Sequence, residues 1–174
     1  GTDDAEDFKV GWWPGYNQFE LPSDASEESR INNDIFWRAR EKAHHILIKA
    51  MIRRGVNIVV GTDSGANLVV PGFSLHDELK SLNNAGMSPA QALASATTNP
   101  ANSMNSNAGS IEVGRRADIV MLNHNPLVDI EHTRAIDTVI LNGRVFGRAQ
   151  LNAMLEAVKA ANENSRKINI DEYR

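Results

Sequence analysis

Three features of the sequence predict an α/β fold: a long stretch with helical spacing of apolar residues, a β-branched run directly after it, and a later region of short β-like runs separated by turns. The opening stretch, Phe8 to Gly15, is a short apolar run closed by Pro14-Gly15, the mark of a strand or loop entering a turn. Residues 21–30 are polar and acidic and read as a surface connection. From about Asn33 to Arg54, Phe36, Ala39, Ala43, Ile46, Leu47, Ala50 and Met51 recur at spacings of three and four, which places them on one helical face. Asn33 is the expected cap, Arg53 and Arg54 suit the negative end of the helix dipole, and Gly55 supplies the left-handed residue after it. Val56 to Val60 then reads as a buried parallel strand that stops at Gly61-Thr62-Asp63-Ser64-Gly65.

Past a loop ending at Pro71-Gly72, Ser74 is the expected cap of a second helix, with Asp77 in capping-box position and Leu75, Leu79 and Leu82 inward. Asn84-Ala85-Gly86 ends it. Ser88-Pro89-Ala90-Gln91 combines an N-cap, a first-turn proline and a capping-box glutamine, so a third helix should run to about Thr98, and Asn99-Pro100 starts a shorter one. After Asn107 the texture becomes β-like at Ile111, Ala117 to Leu122, Ile136 to Leu141 and Val145-Phe146. Asn142-Gly143 is the strongest hairpin signal, because both central positions of a type I′ turn need positive φ. From Ala149 to about Asn164, Leu151, Met154, Leu155 and Val158 mark a final amphipathic helix expected to pack on the body.

Composition narrows the chemistry. The chain has 174 residues, and a complete eight-unit β/α barrel needs about 250, so it cannot hold one. Eighteen Lys and Arg against twenty-two Asp and Glu, with no long run of either sign, give no support to nucleic-acid or acidic-membrane binding. With no cysteine, disulfides, thiolate zinc sites and thiol catalysis are excluded, and any metal must be held by His, Asp or Glu. No stretch approaches eighteen apolar residues, and Gly1 to Asp4 has neither the basic nor the apolar region of a signal peptide. The first residue is not Met, so a processed chain or a piece of a longer one is expected, and the compartment is not legible.

Asp63 stands out as the first ionisable residue past a strand-like run, flanked by Gly61 and Gly65, at the strand end where α/β folds meet ligands. Its bland alternative is an Asx turn. His76 and Glu78 follow thirteen and fifteen residues later and could reach a substrate across the loop; alternatively Glu78 complements a helix dipole and His76 is a half-exposed helical residue. Adjacent His44 and His45 point about 100° apart and do not form the i, i+4 pair a metal wants. His124 and His132 fall in turns of the sheet region and read as structural or surface residues. Trp12 and Trp13 could wall a pocket or pack in a core.

From Gly55 to Phe146 the chain resembles the C-terminal part of a metal-dependent amidohydrolase, of the group similar to imidazolonepropionases and Xaa-Pro dipeptidases. The resemblance is carried by VNIVVGTDSG (56–65), LHDEL (75–79), AGMSPAQALASATTNP (85–100), GSIEVGRRADIVML (109–122), Asn125-Pro126-Leu127 and VILNGRVF (139–146). It implies the C-terminal portion of a (β/α)8 barrel whose eighth strand ends at Asp63, plus part of a small β-sandwich and a C-terminal helix. Residues 1–107 would be the partial barrel, 108–148 the sandwich part, and 149–174 the helix and tail. The resemblance further implies a hydrolase of amide or other C–N bonds in a small molecule or dipeptide. Asp63 would bind a divalent metal, with zinc expected, and handle the proton of the attacking water; read from the residues themselves, His76 and Trp13 are the candidate substrate contacts. The family's His-x-His pair and its metal-binding Lys and His residues have no counterpart before residue 55. The chain alone is therefore expected to be inactive, needing a missing N-terminal barrel segment or a second copy. The alternative is a non-catalytic truncated homologue acting as a folding or association module.

Overall fold

The computed structural model of the chain describes residues 24–64 and 69–165. The Phe8 to Gly15 run, Trp12, Trp13, Gly65 and the tail lie outside them. Helix α1 spans Glu27–Arg53, six residues longer at its start than the periodicity implies. Ser26 caps it by accepting from the Ser29 N–H at 3.2 Å, and Glu27 and Glu28 complement the dipole in the first turn. Asn33 is not the cap: inside the helix, its Oδ1 accepts from Trp37 Nε1 at 3.0 Å. The acidic stretch that reads as a connection is thus the cap and first turn. The expected apolar face is also only partly used. Ile48, Met51 and Ile52 pack on the core, while Phe36, Ile46 and Leu47 stay exposed.

Residues 56–60 carry no regular secondary structure and belong to no strand ladder among the described residues, where a buried parallel strand is expected from the sequence. β-branching favours the extended backbone, but a ladder requires a neighbouring strand. Here the segment is tied to helical residues instead. Val60 N–H donates to Ser95 O at 3.0 Å, Asn99 Nδ2 to Ile58 O at 2.9 Å, and Asn57 Nδ2 to Ser103 Oγ at 3.1 Å. Ile58 is buried, whereas Val56 and Val59 are exposed.

Helix α2 (Phe73–Asn84) follows Gly72, whose φ of 83° serves the entry turn and which offers no side-chain cap. Ser74 does not cap it, because its hydroxyl donates back to Val70 O at 2.9 Å, and Asp77 is engaged by Arg134 rather than closing a capping box. Helix α3 (Pro89–Ala96) carries the full capping box: Gln91 N–H donates to Ser88 Oγ, and Gln91 Oε1 accepts from Ser88 N–H. The short helix α4 (Thr98–Ser103) continues from it. Leu79, Leu82, Met87, Ala92 and Ile58 form the core with Ile130, joined by Leu75, Leu93 and Val60 at its edge.

The sheet is antiparallel with order β1-β2-β3: β1 (Ile119–Leu122), β2 (Ile136–Leu141) and β3 (Arg144–Phe146). Val120 pairs with Val139, and Leu141 pairs with Arg144 across Asn142 (φ 50°) and Gly143 (φ 76°), the positive-φ turn expected there. Ile111, expected in a strand, is irregular and exposed. A 3-10 helix, Ile130–Arg134, joins β1 to β2 and seats Ile130 in the helical core. Helix α5 (Arg148–Ser165) follows β3 and meets β2 at its start, where Arg148 donates to Ile136 O at 2.8 Å and Leu151 is half-buried, while Met154, Leu155 and Val158 of the expected packing face remain exposed. The described residues are therefore α/β, with a helical layer and a small antiparallel sheet. No helix among them is long and apolar enough to cross a membrane.

Candidate functional site

Asp63 lies three residues past the Val56 to Val60 run, exposed, with a φ of 54°. That left-handed conformation is open to Asp at a cost because its short polar side chain tolerates it. Two local devices hold the turn. The Thr62 and Ser64 hydroxyls meet at 2.7 Å, and the Gly61 N–H donates to Glu78 Oε1 at 2.9 Å. Glu78 Oε2 is buried and has no hydrogen-bond partner among the described residues. Glu78 therefore has a specific partner on the Asp63 turn, beyond complementing a helix dipole.

His76 is half-buried, and its Nδ1 lies 2.9 Å from Thr133 Oγ1. The Thr133 hydroxyl donates its one proton to Ile130 O at 2.8 Å, so it can only accept from the ring. Neutral His76 thus carries its proton on Nδ1 and leaves a lone pair on Nε2. Burial, and after it the Arg134 guanidinium, hold its pKa below the usual 6.5, against the opposing pull of Asp77 and Glu131. Around it, Arg134 pairs with Asp77 at 2.5 Å and Lys80 with Glu131 at 3.3 Å, locking the first turns of α2 to the 3-10 helix. Sequence reasoning singled out His76 but missed Thr133, Glu131 and Arg134, which lie more than fifty residues from their partners His76, Lys80 and Asp77 and carry no local motif.

Of the other sequence candidates, Trp13 lies outside the described residues. His44 is exposed on α1 and His45 is half-buried. His124 and His132 come together with ring centroids 5.2 Å apart, and His132 Nδ1 is 2.8 Å from Asn125 O. A carboxylate such as Asp63 is a suitable hard donor for a divalent ion, but a catalytic metal centre takes about three protein ligands plus a water. Among the described residues no group of three or more His, Asp or Glu side chains could hold one. Asp63 fits such an ion by chemistry but not by number, so the described residues do not form a metal centre by themselves.

Residues 21–146 match the family model described as the amidohydrolase family. Among curated relatives, the imidazolonepropionase of Geobacillus sp. (strain WCH70) is 45% identical over 65 residues, covering 34% of this chain and 15% of that protein. The 5-methylthioadenosine/S-adenosylhomocysteine deaminase of Thermoanaerobacter pseudethanolicus (strain ATCC 33223 / 39E) is 31% identical, covering 57% of this chain and 28% of that protein. Among solved structures, a Xaa-Pro dipeptidase with methionine bound in its active site is similar with a TM-score of 0.53 and 30% identity, over 59% of this chain and 25% of that one. The chain spans less than a third of each of these proteins. With a match running from α1 through β3 and taking in the Asp63 turn and α2, the chain belongs to the amidohydrolase family.

Proposed function

We propose that the chain is part of a metal-dependent hydrolase that cleaves an amide or other C–N bond in a small molecule, a dipeptide or a cyclic amide, and that Asp63 is the carboxylate it brings to the reaction. The observation that carries this reading is the placement of Asp63: exposed, at positive φ, on a turn anchored to Glu78 directly after the Val56 to Val60 run, inside the family match. A carboxylate so placed takes the proton of the attacking water and, once protonated, returns it to the leaving nitrogen. In the complete enzyme a divalent ion, proposed to be zinc, would supply a water of lowered pKa, with Asp63 among its ligands and the others contributed from outside the described residues. His76 would meet substrate through Nε2, because Nδ1 is committed to Thr133, and Trp13 would wall the site.

The same reading makes the Val56 to Val60 run and the helices after it the last units of a (β/α)8 barrel, and the antiparallel sheet part of a β-sandwich. It is supported by the order of the elements and by the likeness to the Xaa-Pro dipeptidase structure. The test is release of free amine from dipeptides and cyclic amides by the complete enzyme. Turnover should stop on exhaustive chelation and return with added zinc; full turnover after chelation would overturn metal dependence.

A second reading is a non-catalytic folding or association module whose partner is an N-terminal barrel segment or a second copy. It is favoured by exposed Ile35 (59%), Phe36 (58%) and Ile46 (61%) on α1, together with the absence of a three-ligand group among the described residues. No amine release from any C–N substrate, with association intact, would select it.

A further inference from the structure

We infer that Glu78 is a positioning residue for Asp63: its carboxylate clamps the Gly61 N–H and thereby sets the turn that presents Asp63. This rests on the reading of Asp63 as the reacting carboxylate. The clamp crosses seventeen residues of sequence and joins a rigid element to the turn, which is also tied by the local Thr62–Ser64 hydroxyl contact. Glu78 sits one residue before buried Leu79 and four before buried Leu82, so its backbone is fixed by the core. Its neighbours on α2 are fastened to the 3-10 helix through His76 to Thr133, Asp77 to Arg134 and Lys80 to Glu131. Gly61 is two residues before Asp63. An N–H held there by a charged acceptor fixes the exit direction of the Val56 to Val60 run, and Asp63 then takes its left-handed φ of 54°.

The carboxylate is a poor choice for stability alone. One of its oxygens is buried with no partner among the described residues, a cost that an apolar side chain of similar size would avoid. What the glutamate supplies and an apolar residue cannot is an acceptor for Gly61. Side-chain placement within a fraction of an ångström governs proton transfer, so a turn left free to wander would lose rate without losing substrate affinity.

The test compares wild type, Glu78→Gln and Glu78→Ala in the full chain by amide hydrogen exchange at Gly61 and by the intraresidue NH–Hα NOE of Asp63, which is strong only at positive φ. Glu78→Ala should speed Gly61 exchange about tenfold and weaken the Asp63 NOE, with the amides of Leu79 and Leu82 still protected. Glu78→Gln keeps an acceptor of the same reach and should restore both. In the complete enzyme, Glu78→Ala should lower kcat about 10- to 100-fold with KM little changed, and Glu78→Gln should recover most of it. Unchanged Gly61 exchange and Asp63 NOE in Glu78→Ala, or a Gln variant as damaged as Ala, would overturn the clamp. If Glu78→Ala also loses protection across α2, Glu78→Gln decides. Retained turnover in Asp63→Asn would instead overturn the role of Asp63, while the exchange data still judge the clamp separately.

Discussion

His76 and Asp63 are both ionisable residues near the same helix, yet their surroundings treat them differently. Asp63 is exposed on a turn, whereas His76 is half-buried, bonded to Thr133 and held below the ordinary imidazole pKa by burial and Arg134. Because the folded pKa of His76 lies beneath 6.5, the unfolded chain binds more protons in the window just below that value, and stability should fall as pH drops through it. Its contribution is complete above about pH 6.5 and lost as pH falls through the folded value. Melting curves from about pH 7.5 to 5 should therefore show Tm declining, and His76→Gln should flatten that decline. An equal slope in the variant would show that another group carries the effect. In the complete enzyme, His76→Ala should raise KM while metal content stays full; loss of metal would make it a ligand. The glycine flanks and the strand-like run made the position of Asp63 legible in the sequence. The hydrogen-bond partners of Glu78 and Thr133 were not legible, because each bond forms across the fold rather than between neighbours in the chain.

At the scale of elements, local chemistry was readable and competition between local and tertiary partners was not. The Ser88-Pro89-Ala90-Gln91 signal forms the capping box it spells, because every group it needs lies within four residues. Ser88→Ala should cost about 1 kcal/mol in a thermal or urea melt, and no loss would mean that water satisfies the same N–H. The Ser74 to Asp77 pattern looks as good in sequence, yet Val70 O takes the Ser74 hydroxyl and Arg134 takes Asp77. Gly109 opens one of the stretches that carry the family resemblance, but its backbone role is not legible there. Its φ is 87°, and an added Cβ would lie 2.6 Å from Thr97 O and 2.7 Å from Ala101 Cβ. Gly109→Ala should destabilise by more than about 1 kcal/mol, since strain at positive φ adds to a backbone clash. A melt unchanged from wild type would show that the α4 connection moves freely.

Over the whole molecule, apolar exposure is the dominant fact. Val56 (46%) and Val59 (40%) before the Asp63 turn and Phe36 and Leu47 on α1 sit outside the core, with no strand alongside residues 56–60 among the described residues. Such a surface favours association, so light scattering of the 174-residue chain at high micromolar concentration should show species larger than a monomer. A monodisperse monomer with slow amide exchange over 56–60 would mean that these edges are covered within the chain. The α/β class and the sheet region were legible because periodicity and turn chemistry are local. The lack of a strand ladder at Val56 to Val60 among the described residues was not legible, because strand pairing is specified by residues distant in sequence. The most direct test of the proposed function is turnover by Asp63→Asn in the complete enzyme, with the fold followed by a melt. The expected result is kcat lowered by about 10²- to 10⁴-fold with melting unchanged, since the amide cannot accept the water proton. Retention of most of the wild-type kcat would make Asp63 a turn residue and contradict its catalytic role.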